Sequence, residues 1–135
     1  MLGSVKNRRV LIVDDELAIA DSLTQIFINA GYSARAAYDA ESALALVPEF
    51  APELAIIDVF LPGMNGIDLA IRLRADYPEC RLSLFSGASG SSDLLQEALR
   101  NGHEFRILPK PIHPLELLGV VSEMLLEGSG VVGHA

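Results

Sequence analysis

The chain has 135 residues, half of them hydrophobic and 21% charged, which is enough for one globular domain with its own core and no need of cross-links. A formal net charge of −8 opposes direct binding to nucleic-acid phosphates, and no apolar run approaches the length of a membrane span. The single cysteine, Cys80, excludes an internal disulfide; with a polar amino-terminal stretch that lacks a secretory apolar segment, it leads to the expectation of a cytoplasmic location.

Apolar runs of strand length alternate with segments of helical period, the pattern of βα units around a parallel sheet. Residues 1–8 read as an extension before a first strand at 9–13. A helix over 17–29 follows, with Leu23, Ile26, Phe27 and Ala30 as its inner face and Gly31 as its stop. The second strand, 32–37, carries Ser33 and Arg35 and is expected at an edge. Asp39 is placed to cap a short helix that ends before Pro48. The third strand is 54–59, with a helix from Gly66 to about Ala75. The fourth is 81–85, followed by a polar turn through Ser86, Gly87 and Ala88 and a helix over 93–100. Leu94, Leu95, Ala98 and Leu99 read as the core face of that helix. A fifth strand lies near 105–108. Pro114 suits the first turn of a last helix, with His113 as its cap and Leu126 as its end. Residues 127–135 read as a flexible tail or linker stump.

The chemistry gathers at strand ends. Asp14 and Asp15 follow the first strand, Asp58 ends the apolar run of the third, Ser86 follows the fourth and Lys110 follows the fifth. In a doubly wound parallel sheet the carboxyl ends of the strands form the ligand edge, so these residues can converge. Three clustered carboxylates repel one another unless a hard dication with oxygen ligands joins them, and Mg²⁺ accepts one or two carboxylates plus waters. With Lys110 and one dication the formal charge of the set is zero. Asp58 is then a candidate nucleophile for a phosphoryl group, Lys110 a counter-charge for its oxygens and Ser86 a hydroxyl donor to them. Cys80 reads as a small apolar residue, and His103, His113 and His134 lack ligand-like spacing.

With Asp14-Asp15, Asp58 and the turn Leu61-Pro62-Gly63-Met64-Asn65-Gly66, Ser86-Gly87 and Lys110-Pro111 in place, residues 9–126 resemble the receiver domain of two-component response regulators, including those of chemotaxis. The resemblance implies an α/β, flavodoxin-like (βα)5 doubly wound sheet of order 2-1-3-4-5 as a single domain. It implies Asp58 as phosphoacceptor, Mg²⁺ held by Asp15, Asp58 and the Phe60 backbone carbonyl with Asp14 acting through water, and Lys110 and Ser86 on the phosphoryl oxygens. It also implies a cis Lys110–Pro111 peptide. The donor would be a sensor histidine kinase or a histidine phosphotransfer protein, docking near Leu17, Ala18, Ile19 and Ser22. A downstream partner of unspecified kind would read the switch, in one form by phosphorylation-dependent homodimerisation. Such a domain catalyses only its own phosphorylation and dephosphorylation.

The sequence departs from the family at one switch position. The usual aromatic three residues before the lysine is Ile107 here, with Phe105 two residues earlier on the same side. A receiver that only binds partners, without phosphorylation, is therefore an alternative. A Mg²⁺-dependent phosphohydrolase of the haloacid dehalogenase type is a second alternative, but it needs an acid two residues after the nucleophile, where this chain has Phe60. Phe60 and Ala88 flank the path of attacking water and cannot orient it, so slow self-dephosphorylation is expected.

Overall fold

The computed structural model describes residues 7–87 and 91–130. Ala88, and the parts of the extension and tail at 1–6 and 131–135, lie outside the described residues. The elements run β1 Arg9–Val13, α1 Leu17–Asn29, β2 Ser33–Ala37, α2 Ala40–Phe50, β3 Leu54–Asp58, α3 Gly66–Asp76, β4 Arg81–Ser86, α4 Ser91–Arg100, β5 Arg106–Pro109 and α5 Pro114–Gly130. The five strands form one sheet of order β2-β1-β3-β4-β5, all parallel, as the alternation and the resemblance imply.

Alternation along the strands sends neighbouring side chains to opposite faces. Leu11, Val13, Ala55, Ile57 and Leu84 face α2, α3 and α4 and meet Val47, Leu69, Leu73 and Ala98 there. Val10, Ile12, Leu54, Ile56, Phe85 and Leu108 face α1 and α5 and meet Ala20, Phe27, Leu117 and Val121. The central strands are apolar on both faces because both are covered, which is why they read as continuous runs. β2, at the edge, is only half-buried until Ala37.

Four expectations shift. Pro48 does not end α2 but sits inside its last turn. That late in the helix it forfeits only its own bond, while Phe50 packs on the core and the Ala51 N–H donates to the Val47 carbonyl at 2.8 Å. Ala30 is exposed and Ala20 is buried, because the face of α1 toward the sheet is centred a turn earlier. On α4, Leu99 is 57% exposed while Ala98 is buried, so the apolar stripe is wider than the contact. α5 continues to Gly130, four residues past Leu126. His113 caps it as expected: its Nδ1 accepts from the Leu115 N–H at 3.1 Å and its carbonyl from the Leu117 N–H at 2.9 Å. None of the described helices is long and apolar enough to cross a membrane.

Candidate functional site

The site is built at the carboxyl ends of β1, β3 and β5. Asp14, just past β1, is fully buried; its N–H donates to the Ala37 carbonyl at 3.1 Å and its Oδ1 accepts from the Glu16 N–H at 2.9 Å. These two bonds hold the carboxylate inward while Asp15 remains exposed. Asp58 ends β3 and its Oδ1 accepts from the Phe60 N–H at 3.3 Å. Asp58 is 8% exposed as a residue and 12% in its side chain, so a ligand can reach it. α3 begins against this strand end. A Cβ on Gly66 would lie 1.8 Å from the Asp58 carbonyl oxygen, so only glycine lets the helix start there.

Lys110 completes the cluster from the far edge. Its Nζ donates to Asp58 Oδ2 at 3.0 Å and lies 2.8 Å from Asp14 Oδ2 and 3.7 Å from Glu16 Oε1. The peptide bond that follows, Lys110–Pro111, is cis, as the resemblance implies. Gly87 passes close by, its missing Cβ 2.6 Å from the Lys110 Cβ, and β4 pairs Ser86 with Pro109 beside the lysine. Gly87 thus packs against the lysine stem with no room for a side chain of its own.

Burial raises the Asp58 pKa; the Lys110 hydrogen bond and charge oppose that rise, and the neighbouring Asp14 adds to it. Burial alone would lower the Lys110 pKa, but hydrogen bonds and charge from Asp14 and Asp58 together outweigh it and the net shift is upward. The lysine therefore stays cationic. Asp14 Oδ2 is buried, with the Lys110 ammonium 2.8 Å away as its counter-charge. One oxygen from each of Asp14, Asp15 and Asp58 lies within 4.8 Å of the others. Three carboxylates gathered this closely around one cation fit a hard dication.

A cleft of about 750 Å³ opens onto these groups, lined by Asp15, Glu16, Asp58 and Lys110 and by Ile19, Leu23, Phe60, Pro111 and Ile112 among others. Another cleft, of about 670 Å³, lies at the opposite end of the sheet beside Arg9, Arg81 and Cys80. It contains none of the acidic cluster, and Arg9 and Arg81 there donate to the Ala51 and Glu79 carbonyls.

The structure brings Asp14, Asp15, Asp58 and Lys110 together as the strand-end reading requires. Ser86 ends β4, half-buried, in the strand beside the one that leads into Lys110. Leu17, Ala18 and Ser22 are exposed on α1 and Ile19 is half-buried. Ile107 is 41% exposed and does not fill the interior. Phe105 is instead held in place: the Arg74 guanidinium lies 4.1 Å from its ring centroid and donates to the Glu104 carbonyl at 2.9 Å, and the His103 ring stacks on it at 6.4 Å. Glu16 near Lys110 and Gly87 against its stem carry no sequence signal beyond their places next to Asp15 and Ser86.

Comparison with known proteins agrees with this geometry. The response regulator receiver domain family matches residues 10–122. The chain is 34% identical over 118 residues to the DNA-binding response regulator MtrA of Mycobacterium tuberculosis, covering 87% of this chain and 50% of that one. It is 32% identical over 120 residues to the nitrogen assimilation regulatory protein NtrX of Azorhizobium caulinodans, covering 87% of this chain and 26% of that one. The chain thus spans about half or less of the length of the curated relatives it matches. Among solved structures, a CheY-like receiver domain protein of Methanospirillum hungatei superimposes with a TM-score of 0.81 at 31% identity, covering 90% of this chain and 96% of that one. Sequence, sheet order and acidic cluster agree, and the chain belongs to the receiver domains of two-component response regulators.

Proposed function

We propose that the domain is a working phosphoacceptor, in which Asp58 takes a phosphoryl group from a phosphohistidine and the new charge alters affinity for a partner. The observation that carries this reading is the Lys110 ammonium, 3.0 Å from Asp58 Oδ2 and 2.8 Å from Asp14 Oδ2. It lies where phosphoryl oxygens on Asp58 need a cation. Receivers are typically non-enzymatic signalling modules with a histidine kinase as partner, and their acidic triad binds Mg²⁺. Here Asp15, Asp58 and the Phe60 carbonyl would hold the ion, with Asp14 acting through water. When bound, Mg²⁺ supplies positive charge to the phosphoryl oxygens.

The chain's own residues do the rest. Asp58 attacks phosphorus, and the site gains about one negative charge as a carboxylate becomes an acyl phosphate. Lys110 moves from a carboxylate oxygen to a phosphoryl oxygen, and Ser86 donates a hydrogen bond to another. With Ile107 exposed and Phe105 held by Arg74, the change passes outward through the turn after Ser86 and α4 rather than through a β5 aromatic.

Incubation with Mg²⁺ and acetyl phosphate, followed by intact mass, tests this. One added phosphoryl group, lost in Asp58→Asn and without Mg²⁺, is expected. No adduct and no capture of beryllium fluoride would favour the partner-binding alternative, which the exposed Ile107 supports.

A further inference from the structure

The Lys110 ammonium faces three acids, Asp14, Glu16 and Asp58, and one aromatic ring. The ring is that of Phe85, and Lys110 Nζ lies over it, 5.8 Å from its centroid. Phe85 pairs with Asp58 across β3 and β4, and with Leu108 across β4 and β5. Its side chain belongs to the core beneath α1 and α5, yet it also lines the cleft that opens onto Asp58. At 2% exposure it is a fixed apolar floor under the ammonium and keeps water from that side.

Lysine carries its charge on a long flexible stem. Gly87 packs on the Lys110 Cβ, which fixes the root of the stem and not its tip. The tip is pulled inward by Asp14 and Asp58, at 2.8 and 3.0 Å, and outward by the exposed Glu16, at 3.7 Å. A dication on the inner carboxylates would repel the ammonium and tip this balance toward Glu16 and water. A ring face attracts an ammonium within about 6 Å of its centroid, most strongly where the pair is desolvated. It offers a hard dication no oxygen ligand, and it leaves the ammonium hydrogens free for directed bonds to oxygen. Lys110 can therefore turn from a carboxylate oxygen to a phosphoryl oxygen without leaving the ring.

Resting on the phosphoacceptor reading above, we infer that Phe85 is a positioning residue for Lys110. Its ring face holds the ammonium at Asp58, against Glu16 and solvent, while the acceptor changes from carboxylate to acyl phosphate. Two replacements separate this role from plain core packing. Phe85→Leu keeps an apolar side chain and removes the ring. A phenylalanine trifluorinated on the ring keeps ring and shape, while fluorine withdraws the negative charge of the face.

The test uses the whole chain, carbon-13 labelled at the lysine ε-methylene. Its two lysines, Lys6 and Lys110, give two signals, told apart by Lys6→Arg. Before any ligand is added, the ring current should place the Lys110 signal of the parent upfield of its position in Phe85→Leu. Beryllium fluoride, titrated in the presence of Mg²⁺ and followed by backbone amide signals, then reads the acyl phosphate state. Its affinity is expected to fall roughly 5-fold in Phe85→Leu and in the trifluorinated chain alike. An affinity unchanged by fluorination overturns the inference and leaves Asp58 a phosphoacceptor, and so does a Lys110 signal that Phe85→Leu does not move. No capture of beryllium fluoride by the parent chain sinks both readings together.

Discussion

Replacing Gly66 with alanine should damage both the fold and the site. The added methyl carbon would lie 1.8 Å from the Asp58 carbonyl oxygen, 2.7 Å from its carbonyl carbon and 3.0 Å from Ile57 Cγ2. The two nearest neighbours are backbone and cannot rotate away, so α3 must part from β3 by about 1.6 Å to restore an ordinary contact. That opens the 2.8 Å bond from the Gly66 N–H to the Val59 carbonyl and strands buried polar groups, at a cost of about 1–3 kcal/mol. Overpacking adds about 1–3 kcal/mol. A loss of about 4 kcal/mol is a large share of the roughly 5–15 kcal/mol typical of a domain, and lowers Tm by about 10–15 °C. The chain has no tryptophan, so urea unfolding followed by far-UV circular dichroism is the suitable assay. Gly119→Ala is the control: it lies inside α5 with nothing within 4 Å of its added carbon, and should gain up to about 1 kcal/mol. If Gly66→Ala unfolds within about 0.5 kcal/mol of the parent, the close packing of α3 on Asp58 is not what positions this strand end.

Four further outcomes are expected. Mg²⁺ at ten times its Kd should raise unfolding stability by about 1.4 kcal/mol, reversed by chelation and much reduced in Asp15→Asn, as read from urea midpoints. The Ser42 N–H bonded to Asp39 holds that carboxyl below its ordinary value of 3.8. The stability this cap contributes is full above the unfolded pKa and lost as pH falls through the folded one, so the gap between the parent and Asp39→Ala should narrow below about pH 4 in acid titrations. Burial pushes the Cys80 thiol up to about 12, so alkylation at pH 8 should be slow in the folded chain and fast in denaturant. The double change Phe60→Asn with Ala88→Glu should speed loss of the phosphoryl group at least several-fold, by giving the attacking water a polar guide; an unchanged decay rate counts against water exclusion.

The fold and the acidic cluster were legible because each rests on a local signal with one physical meaning. Val10 to Val13 and Leu54 to Ile57 are too apolar for a one-sided strand, and Asp14 and Asp58 at their ends have no stability reason to be there. Pro48 misled because its cost depends on how much helix follows it, which is a matter of Phe50 packing and not of sequence. Leu99 misled because a helix face records polarity, not which part of a stripe meets the sheet. Contacts between distant segments were silent. The grip of Arg74 on Phe105 joins residues of α3 and the β5 approach, and the passage of Gly87 over Lys110 joins two loops.

The order in which the chain is synthesised gives the sheet a further meaning. Asp14 and Asp15 follow β1 and Asp58 ends β3, whereas Lys110 follows β5 and reaches the site across β4. A nascent chain that has paired β1, β3 and β4 holds its acids with no cation of its own, so the unfinished domain repels itself at the point where it will later react. The arrival of β5 ends that repulsion, and α5 then seals Leu117, Val121 and Leu125 over the other face. Completion of the core and charge balance of the acceptor thus coincide, so a domain cut before β5 cannot present a finished acceptor to a kinase.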